Sequence, residues 1–292
     1  MNSNCKVHFA IGRDEERDIS ALKLCGANYM LFTAYPYIKN KRNSYKFENL
    51  VAKNADFKHV IVDSGLFTLM FGADKNKVLT SDDLRDWMHR IVDFAKQNQI
   101  PNASYVECDC QKLAGVELAW ELRREMRELL PGYEIMNVYH LEDGIDGFDE
   151  LVEFSDYIAI SVPELRIHRG SQYKEMTHIL AKRARLMKPN IKIHLLGCTE
   201  KPMLIQNRDI ATTADSSSWS SANRFGYIGD VHCDRIKQEV REKLWSEYCL
   251  QREALGLRPA NPTPKMLRYI ATQLIATRLC LDNYRKWCGS QE

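Results

Sequence analysis

The chain has 292 residues, 45% of them hydrophobic, with 41 Lys+Arg against 39 Asp+Glu, a net charge of +2 and nine cysteines. That apolar share over that length buries a large core, which excludes intrinsic disorder and a disulfide-stapled miniprotein. The near-zero charge excludes a histone-like polycation, so any nucleic-acid surface must be local. The cysteines are odd in number and irregular in spacing, which reads as reduced thiols rather than a disulfide framework. The N-terminus lacks a charged segment followed by an apolar one, and no stretch approaches the roughly 18 uncharged apolar residues of a membrane span. A soluble, cytoplasmic protein with no membrane partner is expected.

Short apolar or β-branched runs lie at 7–11, 29–33, 60–62, 105–107, 135–139, 157–161, 191–196 and 210–214. Most are nearly continuous rather than alternating, as strands of a parallel sheet covered on both faces are. A helix is expected over 81–98, with Ser81 as N-cap and Asp82 and Asp83 in its first turn. Its apolar stripe is Leu84, Trp87, Met88, Ile91, Val92 and Ala95. Further helices are expected over 115–130, ending at Pro131-Gly132, then over 148–154, 172–187 and 200–207. Two more, over 233–255 and 264–287, flank a Pro-containing segment at 256–264. Eight strands in strict alternation with helices predict a TIM (β/α)8 barrel over 1–230, with a C-terminal helical extension packed on it over 231–292. No G-x-G-x-x-G follows the first strand, which disfavours a dinucleotide-binding doubly wound sheet.

Charge is unevenly spread. Residues 142–156 hold seven acids and no Lys or Arg, whereas 166–192 hold eight Lys/Arg and one acid, Glu175. The segment 235–292 holds eleven Lys/Arg and six acids, and Lys39, Lys41, Arg42 and Lys46 cluster with Tyr35, Tyr37 and Tyr45. Basic runs are commonly solvated helix faces; the functional alternative is a phosphate-binding surface with aromatics for stacking.

Catalytic groups of such a barrel sit at the C-terminal ends of strands. Those ends carry Asp63, Glu107 with Asp109, His140, Ser161, Gly197 and Asp215. One such acid is an ordinary turn-former, but acids recurring at one rim can divide the roles of nucleophile and general acid/base.

Several of these segments resemble one family in order and spacing. Val62-Asp63-Ser64-Gly65-Leu66-Phe67 resembles the Asp-Ser-Gly-Gly-Phe/Tyr-Gln motif of tRNA-guanine transglycosylases. His194-Leu195-Leu196-Gly197-Cys198, with Asp215 following Gly197 by 18 residues, resembles that family's Leu-Met-Gly-Val-Gly segment and its later nucleophilic Asp. Glu107-Cys108-Asp109-Cys110 resembles its Asp-Glu-Cys, which reads the purine edge. Asn137-Val138-Tyr139-His140 and the strand ending at Ser161 stand where the family has a Gln and Gly-Gly-Leu contacts to the base. The departures are Leu66 for the second Gly, Thr68 for the Gln, and no Cys-x-Cys-x-x-Cys zinc motif after the barrel. Cys108-x-Cys110 has no second half, and His232, Cys233 and Cys249 do not reproduce zinc spacing, so neither a structural zinc nor another cofactor is expected. These departures resemble the superfamily's DNA-modifying branch of bacteria and phages, whose members exchange guanine for a 7-deazaguanine base such as preQ0.

The resemblance implies that Asp215 is the covalent nucleophile and Asp63 the general acid/base. Asp109, or alternatively Glu107, would read the base edge. His140, Ser161 and Gly197 would line the base pocket, with a neutral structural histidine as the equal alternative for His140, and Phe67 or Tyr139 would stack on the base or, equally, belong to the core. The implied partners are DNA, or alternatively tRNA, and a free 7-deazaguanine base; a homodimer is possible in the family. A flipped-out nucleotide would need phosphate contacts, for which Arg166, His168 and Arg169, just past the sixth strand, are the candidates. Lys182, Arg183 and Arg185 lie farther along. A barrel that binds nucleic acid without turnover is disfavoured by rim acids that repel phosphate. An aldolase is disfavoured because Lys192 stands at a strand start.

Overall fold

The eight apolar runs pair side by side, each parallel to its neighbours, and the eighth closes onto the first. The computed structural model describes residues 4–11, 15–41, 56–66, 79–198, 200–229, 231–258 and 261–292. Its barrel strands are β1 (Lys6–Ala10), β2 (Tyr29–Thr33), β3 (His59–Asp63), β4 (Ala103–Val106), β5 (Glu134–Tyr139), β6 (Tyr157–Ser161), β7 (Lys192–Leu196) and β8 (Thr213–Ser216). The helices are α1 (Glu15–Leu24), α2 (Tyr35–Ile38), α3 (Ser81–Asn98), α4 (Gln111–Leu129), α5 (Gly144–Phe154), α6 (Val162–Arg169), α7 (Tyr173–Met187), α8 (Lys201–Asn207), α9 (Ser218–Phe225), α10 (Gln238–Ala254) and α11 (Pro264–Cys288). This is a TIM (β/α)8 barrel with C-terminal helices.

Strand alternation sorts the residues into two cores. On β3, Val60 and Val62 join the large outer core beneath the helices, while Ile61 joins an inner cluster with Val106, Met136, Val138, Tyr157 and Ala159. Asp63, two residues beyond Ile61, therefore shares the inward phase.

Three expectations shift. The α3 N-cap is Thr80, not Ser81: its hydroxyl accepts from the Asp83 N–H, and the Asp83 carboxylate accepts from the Thr80 N–H. Helix α4 begins at Gln111, and Gly115, at φ +86°, interrupts it. The eighth strand begins at Thr213 rather than Ile210, because the Ile210 N–H bonds back to Asn207 O and completes the turn after α8. Asp215 consequently lies within β8, register-paired with His8 of β1.

Leu244, Trp245 and Tyr248 of α10 pack with Ile270, Ala271 and Leu274 of α11 and Ala21 of α1. Farther along α11, Leu281, Tyr284 and Cys288 enter the main core. The chain then ties to β1: the Val7 N–H donates to Gln291 Oε1 at 2.8 Å, and Gln291 Nε2 donates to Cys5 O at 2.9 Å. Among the described residues, no helix is long and apolar enough to cross a membrane.

Candidate active site

Asp63 ends β3 and is followed by a turn that its own sequence builds. The Gly65 N–H donates to Asp63 Oδ2 at 3.1 Å, and Gly65 has φ +74°. A Cβ there would stand 2.6 Å from Tyr35 Cβ, so only glycine fits. The Trp87 indole of α3 donates to Ser64 O at 3.1 Å and anchors the turn. Burial pushes the Asp63 carboxyl up, and the negative charges of Asp109 and Asp215 add to that. Hydrogen bonds from Gly65 and Thr33 oppose the rise, and Asp63 comes to rest at about 7. It is thus poised to give or take a proton near neutrality.

Asp109 follows β4. Its Oδ2 accepts from His140 Nε2 at 3.1 Å, and its Oδ1 faces the Ser64 hydroxyl at 3.4 Å. His140, past the end of β5, uses its other nitrogen on Glu164 Oε2 at 2.8 Å. Burial disfavours a charged imidazole, but hydrogen bonds to Asp109 and Glu164 outweigh it and push His140 up to about 10. Glu164 of α6 is buried, which raises it, yet His140 and Lys112, 2.9 Å away, pull it down to about 2. The series Lys112, Glu164, His140 and Asp109 alternates in charge and ends at the barrel mouth.

Asp215 is held at one oxygen. Its Oδ1 meets His194 Nε2 at 3.2 Å and accepts from the Gly197 N–H at 2.5 Å. Among the described residues no hydrogen bond reaches Oδ2. Gly197 has φ +63°, and a Cβ there would sit 2.8 Å from Pro163 Cγ. Its backbone N–H therefore serves Asp215. Ser161, 8% exposed, ends β6 beside this loop.

The structure separates the two acids that follow β4. Glu107, 2% exposed, points outward and forms a paired contact with Arg123 of α4 at 2.8 Å on each side. It also accepts from Asn137 Nδ2 and, at 2.8 Å, from the Val138 N–H. Both oxygens are occupied away from the mouth, so Glu107 is a structural ion and the expectation of a base contact is corrected. Of the two places open to Tyr139, it takes the core: it packs edge-on to Phe148 at 4.9 Å beneath the helices. Phe67, Arg42, Tyr45 and Lys46 lie outside the described residues.

Arg166, His168 and Arg169 are exposed on α6, directly after β6. Arg166 Nη1 also lies 3.9 Å from Glu200 Oε1; farther along, Arg183 pairs with Asp149, and Arg185 donates to Pro189 O and Ile210 O at 2.7 Å each. Lys41 pairs with Asp86 at 2.9 Å, while Tyr35 sits 5.9 Å from Trp87 and Tyr37 5.7 Å from Phe94. These tyrosines are packing groups in this arrangement.

Ligand atoms of His140, Glu142 and Glu164 lie close enough together to hold a metal ion, although both His140 nitrogens already meet carboxylates. The nine cysteines form no disulfide, and Cys233 Sγ is 3.8 Å from Ala222 O. Three contributors escaped the sequence reading: Glu164, Lys112 and His194. His194 carried the only usable signal, lying between Ile193 and Leu195, which join the outer core, and therefore facing inward on β7. The sequence matches no family model and no curated protein.

Proposed function

We propose that this protein is a base-exchange transglycosylase that replaces guanine in DNA with a 7-deazaguanine base such as preQ0. The observation that carries this reading is the convergence of Asp63, Asp109 and Asp215 on one barrel mouth, with Asp63 raised to about 7 by burial and by the other two. Three acids with three different environments match three roles.

Asp215 Oδ2 attacks C1′ of a flipped-out deoxyguanosine, and the C1′–N9 bond breaks. Asp63 donates its proton to the departing guanine and becomes a carboxylate. The sugar is then an ester of Asp215. The incoming base loses its N9 proton to Asp63 and attacks C1′, which releases Asp215 and restores the configuration by double displacement. Asp109 Oδ1, whose one partner among the described residues is a long contact to Ser64, accepts from the N1–H and 2-amino edge that guanine and its 7-deaza analogues share. His140, cationic, holds Asp109 Oδ2. Arg166, His168 and Arg169 take phosphates beside the mouth.

The test is incubation with radiolabelled guanine or preQ0 and either duplex DNA or tRNA. Label should enter DNA, and Asp215→Asn should abolish both incorporation and a denaturant-resistant protein–DNA adduct. Label in tRNA alone would transfer the reading to the tRNA enzymes. Label in neither would refute it.

A further inference from the structure

Inside the barrel, a file of buried groups leads to Asp215. Tyr157 of β6 is 1% exposed, and its hydroxyl meets the Thr213 hydroxyl of β8. Burial holds this phenol well above its ordinary range, so it keeps its proton. Thr213 Oγ1 is the one acceptor it contacts among the described residues, so Tyr157 donates there. Thr213 has a single proton, and its one other hydrogen-bond neighbour among the described residues is His194 Nδ1 at 2.8 Å. Nδ1 must therefore accept. The neutral ring then carries its proton on Nε2, which faces Asp215 Oδ1 at 3.2 Å. An imidazolium would donate to Thr213 as well and strand the Thr213 proton without an acceptor in a site where His194 is 0% exposed.

We propose that His194 is a positioning residue for Asp215: the donor series Tyr157, Thr213, His194 fixes its Nε2–H tautomer, and that N–H with the Gly197 N–H holds Oδ1 so that Oδ2 is the attacking oxygen. A neutral donor fixes the carboxylate without neutralising it. An imidazolium in the same place would form an ion pair and weaken the nucleophile. This inference rests on the exchange reading for its catalytic consequence, but the tautomer follows from the hydrogen bonds alone.

Histidine 15N NMR of the intact protein tests the tautomer, with the His194 signals assigned by their loss in His194→Gln. The neutral ring should show the Nε2–H tautomer alone, and Thr213→Val should lose the single tautomer. An imidazolium or an Nδ1–H form in the wild-type protein would overturn the proposal. Kinetically, His194→Phe should slow single-turnover adduct formation about 10- to 100-fold, the worth of a hydrogen bond to a charged group. DNA affinity should stay unchanged, and His194→Gln, whose amide can donate, should recover part of the rate. A His194→Phe protein exchanging at the wild-type rate would also overturn it; if that variant does not fold, His194→Gln and Thr213→Val carry the comparison. A wild-type protein that has the Nε2–H tautomer but exchanges no base would instead refute the exchange reading and leave the donor series standing.

Discussion

Asp63→Asn should make the protein more stable and less active at the same pH. The Asp63 carboxyl rises from 3.8 to about 7 on folding, with burial the largest cause. Between those pH values the folded chain holds a proton that the unfolded chain has released. Stability contributed by this group therefore falls as pH rises through that window and is fully lost above about 7. At about 1.36 kcal/mol per tenfold change in proton affinity, the whole rise is worth about 4 kcal/mol. Asp63 is only partly buried in the fold, and solvent screening at its exposed part lowers the figure to about 2 kcal/mol. Unfolding of 292 residues carries about 0.6 kcal/mol per °C, which converts the gain to about 3 °C in Tm. Asparagine can still accept from the Gly65 N–H, so the turn survives. Circular-dichroism melts of both proteins at pH 8 and pH 3 measure this. The variant should melt about 3 °C higher at pH 8 and level with the wild type at pH 3, while exchange is lost. Equal melting temperatures at pH 8, or the same difference at both pH values, would show that Asp63 is not held protonated by its surroundings.

Arg123→Met leaves Glu107 buried without its guanidinium and removes the stacking of Arg123 on Trp120 at 4.3 Å. About 3 kcal/mol of stability should go, and Glu107→Leu in the same chain should restore much of it, as read in urea titrations; an additive double variant would contradict the pairing. Gly65→Ala should cost about 2 kcal/mol from its positive φ and its contact with Tyr35, with a matching fall in the denaturation midpoint. His140 should stay charged up to about 10 in an NMR titration, because Asp109 and Glu164 flank it. Its stabilising charge is present below 6.5 and lost as pH rises through about 10. In Glu164→Gln its midpoint should fall, and an unchanged midpoint would remove Glu164 from the series.

The barrel was legible because buried parallel strands read as continuous apolar runs, and because the α3 stripe repeats without interruption from Leu84 to Ala95. The β8 boundary was not: Ile210 and Ala211 look like strand residues, and only the turn bond from the Ile210 N–H back to Asn207 O, three residues earlier, takes Ile210 out of the strand. Helices α6 and α9 hid behind Pro163 and a run of serines, whose intrinsic preferences are for turns and caps. Asp63 and Asp215 could be picked out as acids at strand ends. Choosing between Glu107 and Asp109 required knowing that Val106 faces inward, which reverses the direction of the next side chain. The partners Glu164 and His194 belong to other strands and helices, and no local spacing connects them to the acids they hold.

The tie between Gln291 and β1 also sets an order of events in folding. Val7 and Gln291 are 284 residues apart in sequence, yet the Val7 N–H is buried on the Gln291 side chain. During synthesis, β1 emerges first and has neither that acceptor nor β8 for most of the time the chain is being made. Its exposed edge must wait, unpaired, while the other strands assemble, and ring closure across such a separation is slow. Substitutions at Gln291 should therefore lengthen this waiting period and raise the yield of aggregated chain, even where they leave the chemistry of a folded molecule untouched.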